Sequence, residues 1–270
     1  MLRPDDGELG PHDVLDDGGD VLAAVELVDR LDWLQADVTA WSRAAGADAV
    51  AASLATHFPG MRVASTEPEL VDALVGAGGR IARRGTQLEY VVAHAPTAPE
   101  WLDREERDGV RLVDYRPVDD EIASAWLAAY PPTHPDHDAA LVDTAAAVAD
   151  LGATQSGTVT GVFSSAASAL AVGRSGEVLG GIMVTLMRPN SFWDGPWVPD
   201  LFVRPDAQRR GIGERLVRYA VAAVAAQNEK GLALSVTDGN PARRVYDRVG
   251  FRPGVAFASV TIPSADLPNR

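Results

Sequence analysis

The chain has 270 residues, 46% of them hydrophobic, which is enough for one large domain or two modest ones with real cores. A formal net charge of −14 argues against nucleic acid and against an anionic membrane as partners, and no uninterrupted apolar stretch approaches membrane-spanning length. The lack of cysteine excludes disulfides, thiolate metal sites and a cysteine nucleophile; with only five histidines no metal is expected, and the acidic start at Asp5, Asp6 and Glu8 is unlike a signal peptide, so the expected compartment is cytoplasmic.

From Val21 to Trp41 the apolar positions Leu22, Val25, Val28, Leu31, Leu34, Val38 and Trp41 keep a three-to-four spacing, which predicts an amphipathic helix. A second helix is expected over Val50 to His57 and is broken by Pro59-Gly60. Met61 to Ser65 then reads as a strand, Glu69 to Val75 as a helix ending on glycines, and Ile81 to Val92 as a closing strand or hairpin. Pro96, Pro99 and the charge run Asp103 to Asp108 read as a surface linker, giving a boundary between residues 1–108 and 109–270.

The second part opens with a strand over Val110 to Tyr115 and a helix started by Asp119 and Asp120 that carries Ile122, Trp126 and Leu127. A proline- and histidine-rich loop, Tyr130 to Asp138, follows, then helix around Leu141 to Leu151. Ser168 to Val172 and Val178 to Leu186 form a hairpin around Gly173-Arg174-Ser175-Gly176, and Val198 to Val203 is the next strand. Leu232, Leu234 and Val236 alternate as a strand, Pro241 to Val249 reads as a helix, and Phe257 to Ile262 closes the sheet.

Between two of these elements lies the run with the clearest chemistry, Asp200 to Arg215. A strand ends there, a loop places Gly211 and Gly213 among Gln208, Arg209, Arg210 and Ile212, and an apolar face recurs at Leu216, Val217, Ala220, Val221 and Val224. Glycines permit close backbone approach, and a helix start offers unpaired amides at its positive dipole end, so the loop reads as a cradle for a diphosphate. It lacks the Lys-Ser or Lys-Thr of a P-loop and the third glycine of a dinucleotide fingerprint, and a plain strand-to-helix turn is the competing reading. An internal match also stands out: Gly60 to Thr66 lines up with Gly231 to Thr237, each between an alanine-rich helix and a second helix, a glycine and a closing strand.

Two blocks agree in order and distance, Gln208-Arg-Arg-Gly-Ile-Gly213 and Asn240-Pro-Ala-Arg-Arg-Val-Tyr-Asp-Arg-Val-Gly-Phe251, and together they resemble the GNAT acetyltransferases. The likeness covers about the last seventy residues closely and the chain from Val110 more loosely. It implies an α/β fold with a mixed, mostly antiparallel sheet flanked by helices, and makes residues 1–108 a degenerate half-copy preceding a catalytic domain. It implies acetyl-CoA as cosubstrate, an amine acceptor as partner, and no covalent enzyme intermediate; a homodimer is left open, and a module that binds or senses acyl-CoA without transfer is the alternative.

By the same resemblance, amides of Leu201, Phe202 and Val203 would pair with the pantetheine arm. Those from Arg209 to Gly213 would hold the pyrophosphate, and Asn240 would sit beside the pantetheine. Tyr246 would protonate the departing thiolate, against the plainer reading of a helix tyrosine packed on Phe251. The family's strand glutamate falls at Trp197, so Asp200 is the candidate base, with Asp194 nearby. His134 and His137 could act as base or recognition groups, although an exposed loop is the simpler reading, and the intervening proline opposes a metal pair. Trp193 and Trp197 could line an acceptor site or cover the sheet edge.

Overall fold

The computed structural model describes residues 10–16, 18–29, 34–95, 97–139, 141, 143–187 and 193–264. In chain order the first half gives β1 (Gly10–Leu15), β2 (Val21–Asp29), β3 (Leu34–Trp41), α1 (Ala47–His57), β4 (Arg62–Ser65), α2 (Pro68–Gly76) and β5 (Arg80–Val91). A 3-10 turn at Pro99–Leu102 leads to β6 (Val110–Asp114), α3 (Asp120–Ala129), α4 (Thr144–Ser156), β7 (Val162–Phe163), β8 (Ala169–Gly173) and β9 (Val178–Leu186). The chain continues through β10 (Pro196–Val203), α5 (Ile212–Ala226), β11 (Gly231–Thr237), α6 (Arg243–Val249) and β12 (Arg252–Thr261).

These elements form two compact units, Met1–Thr86 with Val255–Arg270, and Gln87–Gly254. The division expected at 108/109 therefore lies inside the second unit, and the chain's last strand belongs mainly to the first. Linear order could not give this, because β5 and β12 each cross a unit boundary.

The first unit orders its strands β1-β2-β3-β4-β12, with β3 and β4 parallel and the other pairs antiparallel. Its core gathers Ala23, Val25, Ala36, Leu54, Phe58, Val63, Leu70, Leu74 and Val260 beneath α1 and α2. The long helix expected from Val21 to Trp41 is not there; β2 and β3 occupy its place, and residues 30–33 of it, Leu31 included, lie outside the described residues. Ala23, Val25 and Leu27 alternate on the core side, which is a strand period. On β3 the register runs from Val25↔Val38 to Ala24↔Ala40, so Thr39 is an extra residue, and this bulge turns the step from Val38 to Trp41 into three. A strand irregularity thus imitates helical spacing.

The second unit orders its strands β5-β11-β10-β9-β8-β6, with β7 beside β9. Among the described residues β10 and β11 pair in parallel, while β6–β8, β8–β9 and β9–β10 are antiparallel, so this is the mixed, mostly antiparallel sheet expected. α3 and α4 share a core with Leu170, Met183 and Phe202, while α5 and α6 pack with Leu179, Ile182, Val184, Leu232 and Leu234. Alternation along β8, β9 and β10 sends Met183 and Phe202 to one cluster and Ile182 and Val184 to the other, which explains why β9 is buried over nearly its whole length. Gly180 and Gly181 are needed where they stand: an added Cβ would come within 2.6 Å of the Phe202 carbonyl and 2.9 Å of Leu170 and Phe202, respectively.

The two units repeat one plan. β1-β2-β3-α1-β4-α2 matches β8-β9-β10-α5-β11-α6 in order and in strand direction, and the third strand of each set carries one extra residue. In each copy the parallel pairing stops at that irregularity: Gln35↔Arg62 to Asp37↔Ala64 in the first, Trp197↔Ala233 alone in the second.

Candidate active site

Beyond Trp197 the edge of β10 that faces β11 is released. The amide of Arg204 donates to the carbonyl of Leu179 at 2.9 Å, so by alternation Phe202 also turns its polar groups to β9, whereas Leu201 and Val203 turn theirs to the open side. Two side chains confirm that direction: Tyr130 donates to the Leu201 carbonyl at 3.0 Å and Gln208 Nε2 to the Val203 carbonyl at 3.1 Å. Of the three expected amides, those of Leu201 and Val203 face the gap, and that of Phe202 lies within the sheet.

The loop after β10 is shaped for anions. Arg209 takes a positive φ of 61° and Gly211, the cap residue before α5, one of 77°. The first helical bond of this turn runs from the Arg215 amide to the Gly211 carbonyl at 3.0 Å, which leaves the amides of Ile212, Gly213 and Glu214 ahead of any intrahelical acceptor. Among the described residues, the amides of Arg209, Arg210 and Gly211 meet no backbone carbonyl either. Left-handed residues alternating with ordinary ones turn successive N–H groups to one side, making an anion nest at the positive end of a helix. Around it, Arg210 donates to the Asp108 carbonyl and Arg215 to that of Val110, while Arg209 is exposed. Glu214, in the first turn, is drawn to Arg218 at 2.8 Å and Arg248 at 3.0 Å.

The other half of the site comes from α3 and the loop behind it. Asp119 caps α3 by accepting from the amide of Ile122 at 3.0 Å, and the helix then carries Trp126 inward and ends at Tyr130. Asp200 accepts from the Trp126 indole at 2.6 Å and from the Tyr130 hydroxyl at 3.0 Å. Burial pushes its carboxyl up to about 7; the two hydrogen bonds oppose that, and Asp150 and Asp136 add to it. Asp194, the other carboxylate considered, is exposed in the loop before β10.

Tyr246, on α6, is 7% exposed and packs its ring 5.8 Å from that of Phe251. Burial raises its hydroxyl well above the ordinary phenol range, and Asp136 and then Asp200 push the same way. The ring is core, as the plainer reading has it, while the hydroxyl lies in the field of the acidic group. No hydrogen bond to that hydroxyl occurs among the described residues.

Asp136 is the residue that sequence reasoning passed over. It accepts from Thr237 Oγ1 and from Asn240 Nδ2 at 2.7 Å, and its amide donates to His134 Nδ1 at 3.1 Å. The His134 ring stands edge-on to Tyr130 at 4.9 Å, and His137 Nδ1 lies 2.8 Å from the Tyr130 carbonyl. Accepting that amide leaves His134 Nδ1 unprotonated, and burial pulls its pKa down. The histidines thus fasten the loop rather than hang from it. Asn240 Oδ1 meanwhile accepts from the Ala242 amide at 2.8 Å, so this side chain both shapes the start of α6 and holds the loop. These partners lie 101 and 104 residues apart, and no local spacing announces them. Trp197 is buried in β10 and takes the packing role; Trp193 donates to the Pro196 carbonyl at 2.8 Å.

Residues 166–253, which hold the nest, Asp200, Asn240 and Tyr246, match the family model of the Acetyltransferase (GNAT) domain. The chain carries a GNAT acetyltransferase domain. Among solved structures, a GCN5-related N-acetyltransferase from Sphaerobacter thermophilus is similar at a TM-score of 0.63 and 17% identity, covering 94% of this chain and 81% of that one. A tandem GNAT protein from the clavulanic acid biosynthesis pathway matches at 0.55 and 15% over 91% and 80% of the two chains. A GCN5-related N-acetyltransferase from Kribbella flavida matches at 0.54 and 17% over 96% and 91%. At such identities these likenesses concern the fold, and the tandem GNAT relative agrees with an N-terminal half-copy. No curated protein matches the chain. No helix among the described residues is long and apolar enough to cross a membrane.

Proposed function

We propose that this acyltransferase moves the acetyl group of acetyl-CoA to an amine by direct attack. The observation that carries the reading is Tyr246, a side chain 7% exposed whose hydroxyl has no hydrogen-bond partner among the described residues, held in the field of Asp136 and Asp200 where β10 and β11 part. The cosubstrate fits what the residues offer. The amides from Arg209 to Gly213 would take the pyrophosphate and the open polar groups of Leu201 and Val203 the pantetheine, with Gln208 fixing the turn between them.

In the reaction the neutral amine attacks the thioester carbonyl carbon. The new C–N bond forms as the C–S bond breaks, the nitrogen's surplus proton passes to Asp200 through water, and the thiolate takes the proton of Tyr246. A carboxyl poised near 7 can accept that proton, and a phenol held protonated by burial can supply one. Tyr246 regains its proton from solvent before the next cycle.

The test is acceptor-dependent release of free CoA thiol, corrected for hydrolysis without acceptor, in wild type and Tyr246→Phe. Turnover should fall by about 10² to 10⁴ while acetyl-CoA affinity, measured by calorimetry, stays nearly unchanged. Equal turnover in the two proteins would remove Tyr246 from the chemistry. Affinity without transfer to any acceptor would favour a sensor.

A further inference from the structure

The space beside Tyr246 has a definite chemical character. Its strongest electrostatic neighbours are carboxylates: Asp200 and Asp136 act on Tyr130 and on Tyr246, and Asp150 of α4 joins Asp136 in acting on Asp200. Beside these carboxylates the Trp126 and Tyr130 rings pack 4.9 Å apart, Trp126 in the core and Tyr130 partly buried against it. The polar edges of both are spent on Asp200, and of the two it is the partly buried Tyr130 that can still offer ring surface. Of the arginines on α6, Arg243 is engaged with Asp247 at 3.0 Å and Arg248 with Glu214 at 3.0 Å, and Arg244 is exposed. The anion-binding groups of this unit sit at the start of α5, where the pyrophosphate is assigned. An independent sign that a ligand completes the place is Tyr246, a side chain 7% exposed whose hydroxyl meets no hydrogen-bond partner among the described residues.

We infer that the acceptor is a small cationic amine with no carboxylate next to its reacting nitrogen. Resting on the acyl-transfer reading, this names the substrate class for the same site. Carboxylates and ring faces attract an ammonium, and the chain's charge of −14 steers cations inward from a distance. An amino acid offering its α-amine would bring its own carboxylate against Asp200 and Asp136, with Arg243 and Arg248 already paired to carboxylates. Desolvation beside the rings also eases loss of the ammonium proton, which must precede attack.

Matched triads test this with the full-length protein: tyramine, tyrosine and tyrosine methyl ester, then agmatine, arginine and arginine methyl ester, each with acetyl-CoA under thiol-release assay. In at least one triad the decarboxylated amine should exceed the amino acid by about tenfold or more in kcat/KM, and the ester should recover most of the difference. The ester separates charge from bulk, so an ester as poor as the amino acid overturns the inference, as does an amino acid equal to or better than its amine. Six silent compounds alongside normal calorimetric binding of acetyl-CoA would also overturn it while leaving the acyl-CoA site standing. Failure to bind acetyl-CoA would instead sink the underlying function.

Discussion

The two units run the same strand-helix plan, yet the family match and the proposed site both lie in the second, and the difference lies in what surrounds the shared frame. In both, a third strand with one extra residue stops pairing with its parallel neighbour, and a helix starts after a glycine of positive φ. The second unit adds α3 and α4, which bring Trp126, Tyr130 and Asp136 to the parted strands; the described residues of the first contain no equivalent pair. The helix starts diverge as well. Gly211 has φ 77° and ψ 2°, whereas Gly46 has φ 84° and ψ 152°, which turns the next peptide differently. Asp48 lies in the first turn of α1, and with Glu69 and Asp72 it lines the cleft there, so that dipole end already faces fixed negative charge. A frame that parts its strands is therefore permissive, and the acidic group and the free amides are what the proposed site adds to it.

The sharpest way to break this contrast is Asp200→Asn. Activity should drop by about 10² to 10³, and the rise of the wild-type rate with pH through about 7, where Asp200 ionises, should disappear from the profile. The stability effect runs the other way. A carboxyl whose folded pKa is about 7 against an ordinary 3.8 keeps its proton longer in the native state, so its contribution to stability declines as pH rises from about 4 through 7. Asparagine removes that burden, and thermal unfolding at pH 8 should show a melting temperature equal to or above wild type. A variant that is both inactive and markedly unstable at pH 8 would mean the carboxylate acts as a structural tie for Trp126 and Tyr130.

Next in size is Gly211→Val. An added Cβ there meets nothing within 4 Å, so crowding is not the issue; a β-branched residue resists the left-handed backbone and would turn the nest amides away from a phosphate. Acetyl-CoA affinity by calorimetry should weaken by about ten- to a hundredfold, with a wild-type stoichiometry of one per chain. A stoichiometry of two would undo the contrast between the units at once.

How far the sequence carried these conclusions follows from the distance over which each feature is encoded. The nest and the α6 block are local: Gly211, Gly213, Asn240 and Tyr246 stand within about forty residues of one another, and each signals a backbone or side-chain requirement by itself. Apart from the two-residue β7, the strands and helices of the second unit were legible for the same reason. β2 and β3 were not, because the extra Thr39 breaks the two-residue period and small Ala23 and Ala36 carry part of the apolar face. The role of Asp136 and the placement of β12 in the first unit both depend on partners from remote parts of the chain, and a single sequence holds no periodicity for such pairs.

The mildest prediction isolates the helix starts. Gly46→Val alters the first unit at the position corresponding to Gly211, again with no atom within 4 Å of the new Cβ. At φ 84° and ψ 152° the backbone is in a region that only glycine adopts readily, so unfolding free energy should fall by about 1–3 kcal/mol. Acetyl-CoA affinity should not move, because the cleft at α1 presents Asp48, Glu69 and Asp72 to any approaching phosphate. The same chemical change then weakens binding in one unit and only stability in the other. Loss of affinity in Gly46→Val, measured under conditions where the protein remains fully folded, would show that the first unit touches the cosubstrate after all.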